Sequence, residues 1–148
     1  MTFDSTFSIA TQGLDAASER LKIHANNVAN LNTPNYQRKI PVVMENTHTS
    51  FESLLSQMQN GVIKTGIKNS PGGVTMVGAA HDPTPGRRVY QPGHPDADKD
   101  GYVTYSNVNV LNDMSDALMS QRLYEANLAV VNIAKTMASR AIEIGRGQ

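Results

Sequence analysis

Residues 25–36 read ANNVANLNTPNY, and this stretch decides the fold. It closes an amphipathic helical pattern at one end of the chain, and a second long helical pattern fills the other end. Working back from it, Phe7, Ala10, Leu14, Ala17, Leu21, Val28 and Leu31 recur at alternating three- and four-residue spacings, with His24 breaking the run. That is the spacing of a coiled-coil seam. Asp4, Asp15, Glu19, Arg20 and Lys22 fall off the seam, as a solvated face requires. Thr2, Asp4 or Ser5 can cap the start with a side-chain oxygen. Thr33-Pro34 stops the helix, because proline disfavours helix at the residue before it and lacks a donor. The pattern therefore predicts a helix over about Ser5–Asn32.

Asn26, Asn27, Asn30 and Asn32 crowd the last turns. Asparagine is a poor helix former because its amide competes for nearby backbone groups. Four of them together read either as a polar surface that hydrogen-bonds to something or as a frayed, solvated helix end.

At the other end, Met119, Leu123, Ala126, Val130, Ile133, Met137, Ala141 and Ile144 form one apolar stripe. Tyr124, Leu128, Val131, Ala138 and Ile142 form a second beside it. A helix over about Leu111–Ile144 follows, with contacts on more than one side. Asp113 and Asp116 near its start and Arg140 and Arg146 near its end suit the helix dipole, and Gly145 and Gly147 stop it. Helices of this size are about 40–50 Å long. Pairing with each other buries one stripe and leaves the other for neighbours. Alanines on the seams bury little apolar surface. The terminal helices are therefore expected to be loose in the free monomer and to fold on assembly.

The run from Gly13 to Tyr36 resembles the N-terminal motif of the flagellar rod, hook and hook-associated axial proteins. Gly13-Leu14, Ala17, Leu21 and then Ala25 to Tyr36 carry the likeness. Asn35 stands where that family has Gly, and asparagine tolerates the same left-handed backbone. Arg122, Tyr124, Glu125, Ala126 and Asn127 match the family's C-terminal R-x-Y-E/Q-A-N signature, and Lys135 and Met137 continue it. Val89 to Asp98, Gly101-Tyr102-Val103 and Asn107-Val108 are similar to the branch that builds the proximal rod, with Ser106 in place of a proline. The likeness is weakest over 47–73. It implies a structural, non-enzymatic subunit that transmits torque in a helical tube required for flagellum-dependent motility. Its partners would be further copies, other rod proteins, the adaptor joining rod to membrane ring, and the flagellar type III export apparatus. It would sit in the periplasm-spanning rod of the basal body, exported without a cleaved signal peptide. Subunit packing is assigned to Phe7, Leu14, Leu21, Asn26, Asn27, Val28, Asn30 and Leu31, and to Arg122, Leu123, Tyr124, Asn127, Leu128, Val131, Met137 and Ile144.

Composition bounds the alternatives. The chain has 148 residues, no cysteine and a formal net charge of zero. Disulfides and thiol catalysis are excluded, and nothing points to nucleic acid or acidic lipid. No apolar run is long enough for a transmembrane segment. Aromatics are 5%, with no Trp, so a large core is not expected. No cofactor is implied.

The middle reads differently. Lys39–Glu45 is a short extended segment whose Pro41 suits an edge. A short helix over Phe51–Met58 and a turn over Asn69–Gly73 follow. Val74–Ala79 and Arg87–Tyr90 read as strands joined through His81–Gly86, with a third at Tyr102–Tyr105. The organisation is thus a helix over 1–36, a β region over 37–110 and a helix over 111–148. The fold class is α+β, mainly α: long terminal helices packing as a coiled-coil-like hairpin with a small central β-element.

Asp96, Asp98, Asp100 and Gly101 open like a calcium loop, but the twelfth position is Asn107 rather than Glu, and Pro92 and Pro95 replace the entering helix. A polar turn explains them better. His81-Asp82 and His94 with Asp96 have no second cluster at ligand spacing, and no catalytic motif is present. Arg87-Arg88 reads as a solvated strand edge or a contact to an acidic neighbour. Two other functional classes stay open: a calcium-responsive binding module around Asp96–Asn107, and a cytoplasmic coiled-coil adaptor whose helices pair within one stable chain.

Overall fold

The computed structural model describes residues 3–46 and 72–147. The described elements are α1 (Phe3–Ala29), β1 (Lys39–Glu45), β2 (Val74–His81), β3 (Arg88–Tyr90), β4 (Tyr102–Thr104) and α2 (Val110–Arg146). The two helices run antiparallel against each other, since His24 of α1 meets Asp113 of α2 and Gly13 meets Asn127. This is the expected mainly helical hairpin with a small β-element. The expected helix at Phe51–Met58, most of the Asn69–Gly73 turn and the Thr2 cap lie outside the described residues.

The helix ends follow local chemistry. α1 stops at Ala29, three residues before the expected Asn32. The asparagines there satisfy the last carbonyls: Asn30 donates its backbone N–H (3.1 Å) and its side-chain amide (2.8 Å) to the Asn26 carbonyl. The Leu31 and Thr33 amides close further turns onto Val28 and Asn30. Asn35 takes the left-handed conformation anticipated for it, with φ of 60°. α2 starts one residue before the expected Leu111, capped by Asn109, whose side chain accepts from the Asn112 amide at 3.2 Å. It runs through Gly145, and Gly147 provides the C-cap.

The strands pair differently from the expected β2–β3 succession. β1 pairs antiparallel with β2, from Lys39↔His81 to Glu45↔Val74, with a bulge at Val42/Val43. β3 pairs antiparallel with β4, from Arg88↔Thr104 to Tyr90↔Tyr102. The connecting segment explains the separation. Asp82 donates its amide to the Arg38 carbonyl at 2.8 Å, extending the first ladder. Pro83 and Pro85 then offer no donors. Asn107 takes the Thr84 carbonyl at 2.8 Å, and Tyr105 donates to the Arg87 carbonyl at 2.8 Å, so the chain is handed to β4. Gly86 permits this approach, since a Cβ there would collide with the Tyr105 carbonyl. Pro41 is tolerated because both strands of a two-stranded ribbon are edges.

The described core is thin. Its buried apolar side chains are Ala10, Ala16, Ala17 and Ala134 in the helix pair, with Val103 and Val108 under the second ribbon. His24, Asn27, Ser106, Asp113 and Ser120 are buried beside them. Alanine burial removes little apolar area, so each contributes well under the roughly 1.5–3 kcal/mol of a large aliphatic side chain.

Candidate assembly interface

The helix pair closes mainly on small and polar residues of α2, and takes only Val131 and Ala138 from its apolar stripes. Asp113, Ser120 and Ala134 are buried on α2, and Asn127, Val131 and Ala138 are half-buried. Asp113, Ser120, Asn127 and Ala134 recur every seven residues, which is nearly one line along a helix. The expectation that hairpin closure buries one of the two apolar stripes is therefore corrected. Met119 and Ile144 are 66% and 77% exposed, and Ile133 and Met137 are exposed with them. Leu123, Tyr124 and Leu128 are also exposed, while Val131 borders the seam. Asp113 supplies the reason, because its hydrogen-bond partners on α1 and on the segment before β1 fix the rotation of α2 and turn the Asp113 line inward.

On α1 the predicted seam does face α2, but its small and polar members go deepest. Ala10, Ala17 and the interrupting His24 are buried, Leu14, Leu21, Val28 and Leu31 are half-buried, and Phe7 is exposed; Asn27, outside that run, is buried beside His24. Gly13 faces Asn127 closely: a Cβ on Gly13 would lie 2.8 Å from Nδ2 and 3.0 Å from Cγ of Asn127.

One end of the hairpin holds a buried polar cluster. Asp113 Oδ1 meets His24 Nδ1 at 2.9 Å and accepts from Asn27 Nδ2 at 2.9 Å. Asp113 Oδ2 accepts from Arg38 Nε at 2.9 Å. Burial opposes the charge, but hydrogen bonds from His24, Asn27 and Arg38, together with the Arg38 charge, hold the Asp113 carboxyl below the usual carboxylate range. The Asp113 hydrogen bond in turn raises Arg38 above its ordinary value. Among the described residues His24 Nε2 has no hydrogen-bond partner. Asn27 also spans the backbone of Lys39, accepting from its amide at 2.9 Å and donating to its carbonyl at 2.8 Å. Tyr36 donates toward Asn26 Oδ1 (2.9 Å) and Asn27 Oδ1 (3.0 Å), and burial followed by the Asp113 charge raises its phenol.

The asparagine-rich end of α1 is thus a bonded junction, not a frayed one. Sequence reasoning placed Asn26, Asn27 and Asn30 in it but missed His24, Tyr36, Arg38, Asn107 and Asp113 as its other members. The available signals were His24 interrupting an apolar seam and Asp113 falling in heptad register with Ser120 and Asn127. Arg122 is exposed on α2 and has no side-chain hydrogen bond among the described residues.

The Asp96–Gly101 stretch forms a polar turn. Asp98 Oδ1 accepts from the Asp100 (3.0 Å) and Tyr102 (2.8 Å) amides, and Oδ2 pairs with Arg88 at 2.6 Å. Hydrogen bonds from Tyr102, Arg88 and Asp100 outweigh desolvation and lower its carboxyl. Arg88 also lies over the Tyr102 ring at 4.8 Å. Asn107, the twelfth position of the supposed loop, is used elsewhere, accepting from the Arg38 amide at 2.7 Å.

Comparison with known proteins converges on one family. The profile described as flagella basal body rod protein matches residues 7–37, and that described as flagellar basal body rod FlgEFG protein C-terminal matches residues 99–144. The chain is 32% identical to the flagellar basal-body rod protein FlgC of Bacillus subtilis, over 99% of this chain and 100% of the relative. It is 30% identical to the protein of that name from Yersinia enterocolitica and 29% to that of Salmonella typhimurium, each over 99% of this chain and 100% of the relative.

Proposed function

Because this chain belongs to the FlgC family of flagellar basal-body rod proteins, and is thereby a structural subunit of the basal-body rod, we propose that its hairpin packs side by side with neighbouring hairpins through the outer faces of α2. The observation that carries this is the disposition of α2. Its intramolecular seam uses Asp113, Ser120, Asn127 and Ala134, which leaves Leu123, Leu128, Ile133, Met137 and Ile144 outside. Large apolar side chains exposed on more than one side of a helix are characteristic of a surface that is covered in the working state. Heterologous contacts of this kind generate a helical assembly instead of a closed pair. Many such contacts, each modest, give a stiff tube able to carry torque for flagellum-dependent motility.

The partners this reading takes are further copies of the chain, other rod proteins, and the adaptor between rod and membrane ring, with delivery by the flagellar type III export apparatus without a cleaved signal peptide. The place is the periplasm-spanning proximal rod. No helix among the described residues is long and apolar enough to cross a membrane. The role asks for no catalysis.

A photo-reactive benzophenone side chain reads a heterologous contact directly, because it needs no matching group on the neighbour. Placed at Leu123 or at Met137, one position at a time, it should link rod subunits in isolated basal bodies on illumination. The same group at Lys22, on the exposed side of α1, is the comparison. Cross-linking from position 22 alone would place the contact elsewhere and remove the proposal.

A further inference from the structure

Three stretches far apart in sequence, around 38, 82 and 107–116, meet at Arg38. Its amide donates to Asn107 Oδ1 at 2.7 Å, and its carbonyl accepts from the Asp82 amide at 2.8 Å. Its guanidinium donates to Asp113 through Nε at 2.9 Å and lies 3.7 Å from Asp82 and 3.6 Å from Asp116. The next residue, Lys39, opens β1 with both backbone groups held by Asn27, whose amide also donates to Asp113. The start of β1 is thus held by Asn27 and the 82–84 segment by Asn107, and Asp113 of α2 ties the two together through the Asn27 amide and the Arg38 guanidinium.

Beyond the packing of the first ribbon against α1, the described part of the middle has little to hold it. The β1–β2 ribbon buries no side chain fully, and only Val103, Ser106 and Val108 are buried around the second. A two-stranded ribbon alone is marginal in water. Asp113 is 0% exposed, so its charge is tolerable only while its donors are present.

We infer that Asp113 is a conformational latch, through which pairing of the terminal helices and placement of the β ribbons form and break as one unit. When α2 leaves α1, Asn27 and Arg38 lose their common acceptor, and with it the anchorage of Lys39 and Asp82. When the hairpin closes, the ribbons are fixed in one orientation relative to the α2 faces. The latch lies within one chain and does not depend on what the chain assembles with.

Hydrogen exchange on the full-length monomer tests it. In the native chain the amides of Arg38, Lys39 and Asp82 should be protected. In Asp113→Asn they should exchange about tenfold faster or more, although none belongs to α2. Unchanged exchange at these amides in the variant, or no protection in the native chain, overturns the latch. Asn107→Ala supplies a second arm, because Asn107 binds the Arg38 backbone and has no hydrogen bond to Asp113. The shifts in unfolding midpoint from Asn107→Ala and Asp113→Asn should fall short of additive when combined, and simple addition overturns the coupling. Should Asp113→Asn yield no folded chain, Arg38→Lys, which keeps the cation and loses the Nε donor, carries both measurements with the same two outcomes.

Discussion

Asn127 of α2 lies flat against Gly13 of α1, so that a Cβ on Gly13 would meet Nδ2, Cγ and Oδ1 within 2.8–3.1 Å. Rotating the amide does not relieve this, because Cγ itself stands at 3.0 Å. Both residues belong to the terminal motifs, and the contact keys the axial register of the two helices.

Gly13→Ala sets two effects against each other. Alanine favours helix over glycine by about 1 kcal/mol. Overpacking a close seam costs about 1–3 kcal/mol. The crowding should win, lowering the thermal midpoint, and adding Asn127→Ala should restore it by removing the obstructing amide. A midpoint that rises in Gly13→Ala alone would show that the seam yields freely.

Acid should open the hairpin at the Asp113 end. The folded carboxyl lies below its unfolded value of about 3.9. Its contribution is therefore fully present above that value and is lost as pH falls through the folded one. Stability measured by denaturant titration should decline from about pH 4 downward. In Asp113→Asn that decline should be shallower, since one of the lowered carboxylates is gone. Equal acid slopes would mean that Asp113 is not held in its charged form.

Two α2 substitutions should separate folding from assembly. Leu128 is exposed, so Leu128→Asp should change monomer stability by no more than about 1 kcal/mol while abolishing basal bodies and motility. Ala134 is 8% exposed in the seam, and Ala134→Asp should unfold the hairpin by burying an unpaired charge. Intact motility with Leu128→Asp would remove that face from the contact.

Asn35 carries a positive φ of 60° between α1 and β1 while its amide donates to the Thr104 carbonyl at 2.9 Å. Asn35→Ala should cost about 1 kcal/mol, because alanine keeps the Cβ and loses the polar side chain that eases a left-handed backbone, and Asn35→Gly should be near neutral because it removes the Cβ. Chemical denaturation of both variants checks this; equal losses would point to the side chain and not the backbone.

The terminal helices were legible from local rules. Alternating three- and four-residue spacing marked the α1 face, Thr33-Pro34 bounded its end to within a few residues, and Asn35 supplied the left-handed turn. The positions of all four described strands were legible too, from short β-prone runs between proline and glycine. Their partners were not. β2 followed by β3 suggested neighbours, but the ladder is decided by which backbone donors remain after Pro83 and Pro85 and by where Asn107 draws the chain.

What the sequence by itself determined is the set of elements and the presence of more apolar surface on α2 than one partner can cover, because periodicity and backbone sterics act within a few residues. What only the tertiary structure decided is which stripe turns inward. An inward carboxylate at Asp113 makes sense once His24, Asn27 and Arg38 arrive from other parts of the chain to satisfy it. Burial of a charge is a property of the assembled neighbourhood, so the residue that orients α2 read, in one dimension, as an acid at a helix start.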